Sequence, residues 1–248
     1  MAYRNVLIIS DNVYLTGEFL KIIDELGISD LKVSLACSPT TPEMMENGRF
    51  SIPVTPYKVK EVGAALAAKH DMVISIHCKQ LFPPELVNGT KCLNVHPGLN
   101  PYNRGWYPQV FAIMNGLPHG ATIHEIDVEL DHGPIIDQKQ VEIFADDTSL
   151  SVYDRVLQAE LELLKKNLSD ILNGTYATFH PENEGNLNMI KDFRELLKLD
   201  LEETGDMKHF INKFRALTHG KYKNAYFVDP ETGDKIFVSM NLERRKDG

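Results

Sequence analysis

The chain has 248 residues, 43% of them hydrophobic, so it is long enough to bury the core of one domain with a small appendage. Its 26 basic and 35 acidic residues leave a formal charge of −9, and the basic residues are scattered except in the tail ERRKDG, which argues against a nucleic-acid partner. No stretch reaches the ~20 apolar residues of a membrane span, and the amino terminus lacks a signal-peptide pattern, so we expect no membrane association.

Three cysteines, Cys37, Cys78 and Cys92, lie in or beside apolar segments. An odd number of cysteines without C-x-x-C spacing argues against both a disulfide framework and a zinc knuckle. We therefore expect three reduced thiols and a cytoplasmic protein.

The amino-terminal part alternates β-branched apolar runs with segments of helical periodicity. Strands are expected at NVLIIS, LKVSLAC, MVISIH and CLNV, and helices at VYLTGEFLKIIDELG, VKEVGAALAAKH and PELV. This alternation predicts an α/β fold with a Rossmann-like, doubly wound and mostly parallel sheet. Ligands of such sheets bind beyond the carboxyl ends of the strands, which marks residues 10–12, 77–80 and 94–96.

The rest of the chain predicts additions to this sheet. GATIHEID and PIIDQKQVEI are expected to form a hairpin-like pair, and LSVYDRVLQAELELLKKNLSDIL a long core-packed helix that stops at Gly174. Two short helices and a terminal β-hairpin in AYFVDPETGDKIFVSM follow a polar crossing. We predict a main domain of residues 1–172 and a small C-terminal helical and β-hairpin region of residues 173–248, which packs on the main domain or on a second subunit.

The usual nucleotide-binding and hydrolase motifs do not occur: no G-x-G-x-x-G follows the first strand, and there is no P-loop or G-x-S-x-G. Function must therefore be sought at the polar strand ends. Asn94 and His96 alternate on an extended segment, so both side chains lie on one face, and Pro97 and Gly98 stop the chain from continuing into a helix. Taken alone, these two residues fit an ordinary strand end as well as a catalytic site.

A second polar cluster, between residues 124 and 132, favours chemistry. Its candidate carboxylate is Asp131, because a glycine-bearing turn then leads back into an apolar strand. A histidine and a carboxylate from separate loops suit proton transfer at neutral pH, and the amide of Asn94 suits a developing oxyanion. A metal site is the rival, but the spacing of His77, His96 and His124 matches no known metal motif, and we expect no metal.

The combination NVHP, NRG, GATIH and D-x-G-x-I resembles the formyltransferases that use 10-formyltetrahydrofolate. The stretches SIHCKQLFP, VHPGLNPYNRGWYPQVFAI, IHEIDVELDHGPII, EGNLN and RALTHGKYKNAYF narrow the resemblance to the bacterial nucleotide-sugar N-formyltransferases of surface-polysaccharide assembly. This resemblance covers nearly the whole chain. It implies the formyltransferase fold, a homodimer, and formyl transfer to the amine of a dTDP-linked aminodideoxy sugar.

The resemblance also implies roles for individual residues. His96 would be the base, Asn94 the oxyanion donor, and Asp131 the partner that holds His96 and assists departure of the folate nitrogen. Folate contacts would come from two stretches, represented by Gln80, Leu81, Phe82, Ile126, Asp127 and Glu129. Core packing is an equal alternative for Leu81 and Phe82.

Six further residues are candidates for the nucleotide sugar. Lys79 would meet the diphosphate, and Arg104 would contact phosphate or fix its loop. Asp11 and Asn12 would bind sugar or ribose hydroxyls, with a helix N-cap as the alternative. Tyr222 would stack on the thymine, and Trp106 would wall the sugar pocket or anchor the next helix. His77, His124 and His132 are assigned supporting roles.

The resemblance favours the 4-amino group of dTDP-4-amino-4,6-dideoxyglucose as acceptor. The 3-amino isomer and a UDP-sugar stay open, whereas the negative charge disfavours methionyl-tRNA. A non-catalytic binding protein for folate or nucleotide sugar, or a metal-dependent hydrolase, are the rivals from other classes.

Overall fold

The structure is a computed structural model and describes residues 2–28 and 30–245. Its strands are β1 (Asn5–Ser10), β2 (Lys32–Cys37), β3 (Val54–Pro56), β4 (Met72–Ile76), β5 (Lys91–His96), β6 (Arg104–Gly105), β7 (His119–Glu125), β8 (Ile135–Val141), β9 (Leu187–Asn188), β10 (Tyr226–Val228) and β11 (Lys235–Phe237). Its α-helices are α1 (Val13–Glu25), α2 (Val59–Lys69), α3 (Pro84–Val87), α4 (Pro108–Asn115), α5 (Ser149–Asn173), α6 (Ile190–Leu197) and α7 (Met207–Leu217), and residues Pro42–Met45 form a 3₁₀ turn.

Seven strands form one sheet, in the order β3-β2-β1-β4-β5-β7-β8. The first five strands in this order run parallel, and β7 pairs antiparallel with β5. The expectation of an α/β fold with a mostly parallel sheet is confirmed. The two segments expected to form a hairpin-like pair are β7 and β8, which are neighbours at one edge of the sheet.

The central strands are buried on both faces, and α2 and α3 cover one of these faces. On one face, Leu7 and Ile9 of β1, Val73 of β4 and Cys92 of β5 form a cluster with apolar side chains of α2 and α3, namely Val59, Leu66 and Leu86. Burying one such aliphatic side chain contributes about 1.5–3 kcal/mol. The helices α1 and α5 are linked to each other through Gln158 to Tyr14 and through Lys165 to Glu25. This packing fixes the strands whose carboxyl ends carry the candidate site.

The chain divides into two compact units. The first comprises residues 1–96, 121–139 and 157–182, and contains the large sheet. The second comprises residues 97–120, 140–156 and 183–248. These units interleave along the sequence, whereas the sequence predicts a single division after residue 172, and that domain boundary stays a prediction.

The second unit has its own apolar core. Side chains from α4, α6 and α7 meet there, among them Val110, Phe193 and Ala216. The strands β10 and β11 form the expected antiparallel hairpin, with Tyr226 opposite Phe237. Among the helices in the described part of the chain, none is long and apolar enough to cross a membrane.

Candidate active site

The candidate site lies at the carboxyl end of β5. Asn94 and His96 are two residues apart on this strand, and the antiparallel register places His124 of β7 opposite Asn94. Asp131 comes from the loop between β7 and β8, where its backbone has φ 49°. Only a few per cent of residues other than glycine adopt such a conformation, and they concentrate at turns and functional sites.

The Asn94 amide joins the other two polar groups. Its Nδ2 donates to Asp131 Oδ1 at 3.0 Å and lies 3.3 Å from His124 Nε2. His124 Nδ1 lies 2.7 Å from the Glu125 carbonyl oxygen, which can only accept a hydrogen bond. The neutral His124 ring therefore carries its proton on Nδ1, and Nε2 accepts the second N–H of Asn94.

The His96 side chain is buried, with 3% of its surface exposed. Its Nδ1 lies 3.5 Å from Asp131 Oδ2. Desolvation by burial lowers the pKa of His96 to about 4, although the charge of Asp131 raises it. The imidazole is thus neutral at physiological pH and able to accept a proton.

The other ring nitrogen of His96, Nε2, is buried and finds no hydrogen-bond partner among the described residues. A buried polar atom without a partner costs roughly 1–3 kcal/mol, and such atoms are uncommon in folded proteins. A substrate group that supplies the missing partner would remove this cost, so Nε2 is the atom of the site best placed to meet a reacting proton.

Asn94, His96 and Asp131 are predicted from the sequence to act together, and in the structure Asp131 lies beside both of the other side chains. His124 was assigned a supporting role, and the structure gives that role a specific form, since its Nε2 accepts a hydrogen bond from Asn94. The antiparallel register of β5 and β7 creates this contact. Among the described residues, no three His, Cys, Asp or Glu side chains are grouped so that they could hold a metal ion.

The first candidate folate stretch shows a mixture of environments. Gln80 accepts from the Val59 N–H and donates to Ser38 Oγ, so its amide holds neighbouring loops together. Phe82 packs against the core under α2 and α3, in line with the packing alternative, whereas Leu81 is 72% exposed. Folate contact by these residues stays a prediction, and Leu81 is the side chain most open to a ligand.

The second candidate stretch forms the loop that leads to Asp131. Ile126 packs on the core and its N–H is bonded to the Cys92 carbonyl. Asp127 accepts from the Glu129 N–H and pairs with His132 Nδ1 at 3.0 Å, which closes the loop on itself. A folded loop of this kind presents backbone groups at fixed positions, but its contact with folate also stays a prediction.

Asp11 joins three of the loops at the sheet edge. Its carboxylate accepts from the Ser38 N–H and Oγ, from Thr41 Oγ1 and from the Lys79 N–H. Four hydrogen bonds occupy the approximately four lone-pair positions of a carboxylate, so Asp11 holds these loops together, and its contact with sugar or ribose hydroxyls stays a prediction. Asn12 caps α1 by accepting from the Leu15 N–H, which was the stated alternative to hydroxyl binding.

The Lys79 side chain is exposed and therefore accessible to an anion. Its backbone N–H is held by Asp11, which orients the residue at the end of β4. Nothing in these contacts conflicts with a diphosphate partner, and that role stays a prediction.

Three candidate residues belong to the second unit. Arg104 lies in β6 with its guanidinium 4.0 Å from the Glu184 carboxylate, and its buried Nε has no partner among the described residues. Trp106 is half-buried and lies just before α4, and its backbone N–H donates to the Asn188 carbonyl. Tyr222 is 61% exposed and available for stacking. The ligand roles of these three residues stay predictions.

Comparison with known proteins defines the class of this chain. The family model described as formyl transferase matches residues 27–168, and a model described as the N-formyltransferase dimerization C-terminal domain matches residues 192–244. The first match spans more than half of the sequence, and the chain belongs to the formyl transferase family.

The chain is also similar to individual proteins over most of its length. The chain is 51% identical to the dTDP-4-amino-4,6-dideoxyglucose formyltransferase of Mycobacterium tuberculosis, over 76% of this chain and 80% of that protein. The crystal structure of a 4-N formyltransferase from Francisella tularensis matches with a TM-score of 0.92 and 42% identity, covering 98% of this chain and 99% of that one. A sugar N-formyltransferase from a Shewanella species matches with a TM-score of 0.89 and 38% identity, covering 98% and 99% of the two chains.

Proposed function

We propose that this enzyme transfers the formyl group of 10-formyltetrahydrofolate to the 4-amino group of dTDP-4-amino-4,6-dideoxyglucose, for the assembly of O-antigen or another surface polysaccharide. The observation that carries the proposal is the buried Nε2 of His96, which lacks a partner among the described residues and lies beside an amide and a carboxylate. Similarity to the Mycobacterium tuberculosis relative supports the choice of acceptor.

The three side chains suit the steps of formyl transfer to an amine. The folate supplies a formyl group, whose carbon is attacked by the amine nitrogen while its oxygen gains negative charge. Asn94 donates a hydrogen bond to this oxygen, which requires it to release either Asp131 or His124. His96 accepts the proton that the attacking nitrogen loses, and Asp131 stabilises the imidazolium that results.

A proton must also reach the folate nitrogen as its bond to carbon breaks. His96 holds a proton weakly because burial lowers its pKa to about 4, so it readily passes on the proton that it has accepted. Asp131 keeps the ring oriented through Nδ1 while Nε2 takes up and releases the proton. The same ring therefore serves as base and then as acid, as general acid–base catalysis requires.

We also propose that the enzyme is a cytoplasmic homodimer. All three cysteines are free thiols, and burial raises the pKa of Cys78 and Cys92 to about 12, which fits a cytoplasmic enzyme. The match to a dimerization domain at residues 192–244 supports a homodimer. Neither a metal nor a nucleic acid takes part in the proposed reaction.

The test is formylation of a panel of dTDP- and UDP-linked amino sugars, with both the product mass and the release of tetrahydrofolate measured. We expect turnover to be fastest with dTDP-4-amino-4,6-dideoxyglucose. A faster reaction with the 3-amino isomer would reassign the acceptor, and no formylation of any member would refute the proposed function.

The variants Asn94→Ala, His96→Gln and Asp131→Asn separate an enzyme from a binding protein. Each is expected to bind the nucleotide sugar while losing turnover, since the three side chains act on the reacting atoms rather than on the nucleotide. Unchanged turnover in all three variants would exclude the proposed catalytic roles.

A further inference from the structure

His77 occupies a position level with His96 at the edge of the sheet. The parallel register pairs Ile76 of β4 with Val95 of β5, so the next residue of each strand is a histidine. A positive charge on the His77 ring lowers the pKa of His96. Two histidines therefore lie at the carboxyl ends of adjacent central strands, where parallel sheets bind their ligands.

The backbone of His77 adopts φ 52°, which is unfavourable for a residue with a side chain. Val73 of the same strand faces α2 and α3. Strict alternation would send His77 to that face as well. Instead its ring contacts Glu160 of α5. Local strain of this kind costs on the order of 1–3 kcal/mol and is retained where the surrounding contacts require the conformation.

The contact with Glu160 requires this backbone conformation of His77. His77 Nε2 lies 2.8 and 3.0 Å from the two carboxylate oxygens, and the Glu160 side chain is completely buried. Burial raises the pKa of Glu160, and His77 opposes that rise. A buried carboxylate bonded to one nitrogen of an imidazole makes the other nitrogen a better proton acceptor.

The other nitrogen of His77 meets the first turn of α1. Asn12 Nδ2 lies 3.5 Å from His77 Nδ1. The Asn12 Oδ1 atom is committed to the Leu15 N–H, so the amide presents N–H groups to the ring. This arrangement favours a neutral imidazole with its proton on Nε2, directed at Glu160, and a lone pair on Nδ1. Glu160 and His96 are the titratable groups that these contacts place around His77.

The proposed reaction needs such an acceptor. An amine beside electron-withdrawing groups, like an α-amino group, has a pKa of about 8 and arrives at pH 7 mainly as an ammonium ion. It must lose one proton before its lone pair can attack, and a second proton after attack. His96 suits the second proton, but burial lowers its pKa to about 4, and a base that weak removes a proton from an ammonium ion only against a gap of about four pKa units.

We propose that His77, held and polarised by Glu160, is a second proton acceptor of the site, which removes the first proton from the ammonium form of the sugar substrate. This inference rests on the proposed function. In the step, the N–H bond of the ammonium breaks, its electron pair stays on the amine, and the proton binds His77 Nδ1 while Glu160 balances the imidazolium charge. Water later takes the proton from His77. His77 is then a catalytic residue, whereas Glu160 is a positioning residue.

The test compares the pH dependence of kcat/KM for wild type, His77→Gln and Glu160→Gln. With an amine pKa of about 8, roughly one substrate molecule in ten is already neutral at pH 7 and can react without the acceptor, so we expect a loss of about 10-fold in kcat/KM at pH 7 in both variants. At pH 9 most of the substrate amine is already neutral and needs no acceptor, so the loss should shrink to less than about 2-fold. The matched control is His209→Gln, which removes a His–Glu pair with the same 2.8 Å contact outside the large sheet and should change kcat/KM less than 2-fold at either pH, since general bases act only where they reach the substrate.

A loss that is equally large at pH 7 and pH 9 would assign His77 a structural role and overturn the inference. If wild type formylates none of the amino sugars, the proposed function itself fails, and the role of His77 falls with it. A second measurement needs no variant: ¹⁵N NMR of the histidine rings in wild type should show His77 with its proton on Nε2 and an unprotonated Nδ1 at pH 8. A ring doubly protonated at that pH would also overturn the inference, because it could not accept a proton.

Discussion

Asn94 has two N–H groups, and both are used within the site. One donates to Asp131 and the other to His124, so the amide fixes the position of a carboxylate and of a ring at once. During catalysis one of these hydrogen bonds must be exchanged for one to the formyl oxygen. Asn94 therefore contributes both to the order of the resting site and to the stabilisation of charge.

Substitution of Asn94 by alanine tests this dual role. Removal of one oxyanion donor costs about 10²–10³ in kcat in enzymes that stabilise a developing oxyanion, and we expect a loss in that range. The KM for the nucleotide sugar should change little, as measured by steady-state assays of tetrahydrofolate release. The exposed Asn88, which follows α3, offers the control Asn88→Ala, and an equal loss of kcat in that variant would remove the assignment.

His96 also links stability to pH. Its pKa is about 4 in the folded protein and about 6.5 when unfolded, so between these values the unfolded chain binds more protons. The stability contributed by neutral His96 is therefore present above pH 6.5 and is lost as the pH falls towards 4. From pH 7 to pH 5 this loss amounts to about 2 kcal/mol.

Urea unfolding at pH 7 and pH 5 measures this linkage. Wild type should lose about 2 kcal/mol more than His96→Gln over this interval, because glutamine does not titrate. His70, whose pKa is also lowered by burial, is present in both proteins and cancels in the comparison. Equal pH slopes in the two proteins would show that His96 takes up protons as easily in the folded chain as in the unfolded one.

At the scale of elements, the turn between β7 and β8 depends on Gly133. A Cβ atom at this position would lie 2.0 Å from the Glu125 carbonyl oxygen, which belongs to β7. The backbone at Gly133 does not have a positive φ, so the requirement for glycine is one of space alone. The close approach holds the turn that carries Asp131 against the end of β7.

The variant Gly133→Ala should therefore move Asp131 away from Asn94. We expect a loss of about 1–3 kcal/mol in unfolding free energy from the steric clash, together with a fall in kcat. Gly27→Ala is a suitable control, since Gly27 has φ 63° and open space around its Cβ position, and should cost only the roughly 1–2 kcal/mol of a left-handed backbone, with no fall in kcat. Thermal unfolding and steady-state kinetics on both variants separate the two effects.

Long apolar runs made most of the fold predictable from the sequence. The strands β1, β2, β4 and β5 each extend over five or six residues, and α5 has a sustained apolar stripe. The strands β3, β6 and β9 have only two or three residues, which is too few for any periodicity, and the sequence did not predict them. Their pairing depends on partners distant in the chain, such as Arg104 with Leu187.

In the site, too, local sequence patterns predicted some residues, whereas contacts between distant residues could not be predicted. Asn94 and His96 could be proposed because they end an apolar strand, and Asp131 because a glycine-bearing turn follows it. The contact of Asn94 with His124 follows from the register of β5 and β7, and the contact of His77 with Glu160 from the packing of α5. Neither partner lies near in sequence, so no local pattern could reveal these pairs.

At the scale of the whole molecule, the proposed homodimer can be tested by substitutions in the C-terminal hairpin. The region matched by the dimerization domain, residues 192–244, includes β10 and β11, and a two-stranded sheet of this size is marginally stable alone. Ile236 of β11 is 43% exposed within one chain. In a twofold interface each substitution acts twice, because both subunits present the same surface.

We expect Ile236→Asp to weaken the dimer. Burial of one isoleucine contributes about 1.5–3 kcal/mol, so two copies would raise the dissociation constant by about 10²–10⁴-fold. Light scattering after size-exclusion chromatography should show a dimer for wild type and a monomer for the variant at micromolar concentration. Ser239→Asp adds the same charge at an exposed position three residues further on and should remain dimeric. A variant that is as dimeric as wild type would exclude this face of the hairpin from the interface, and a monomeric wild type would exclude the homodimer itself.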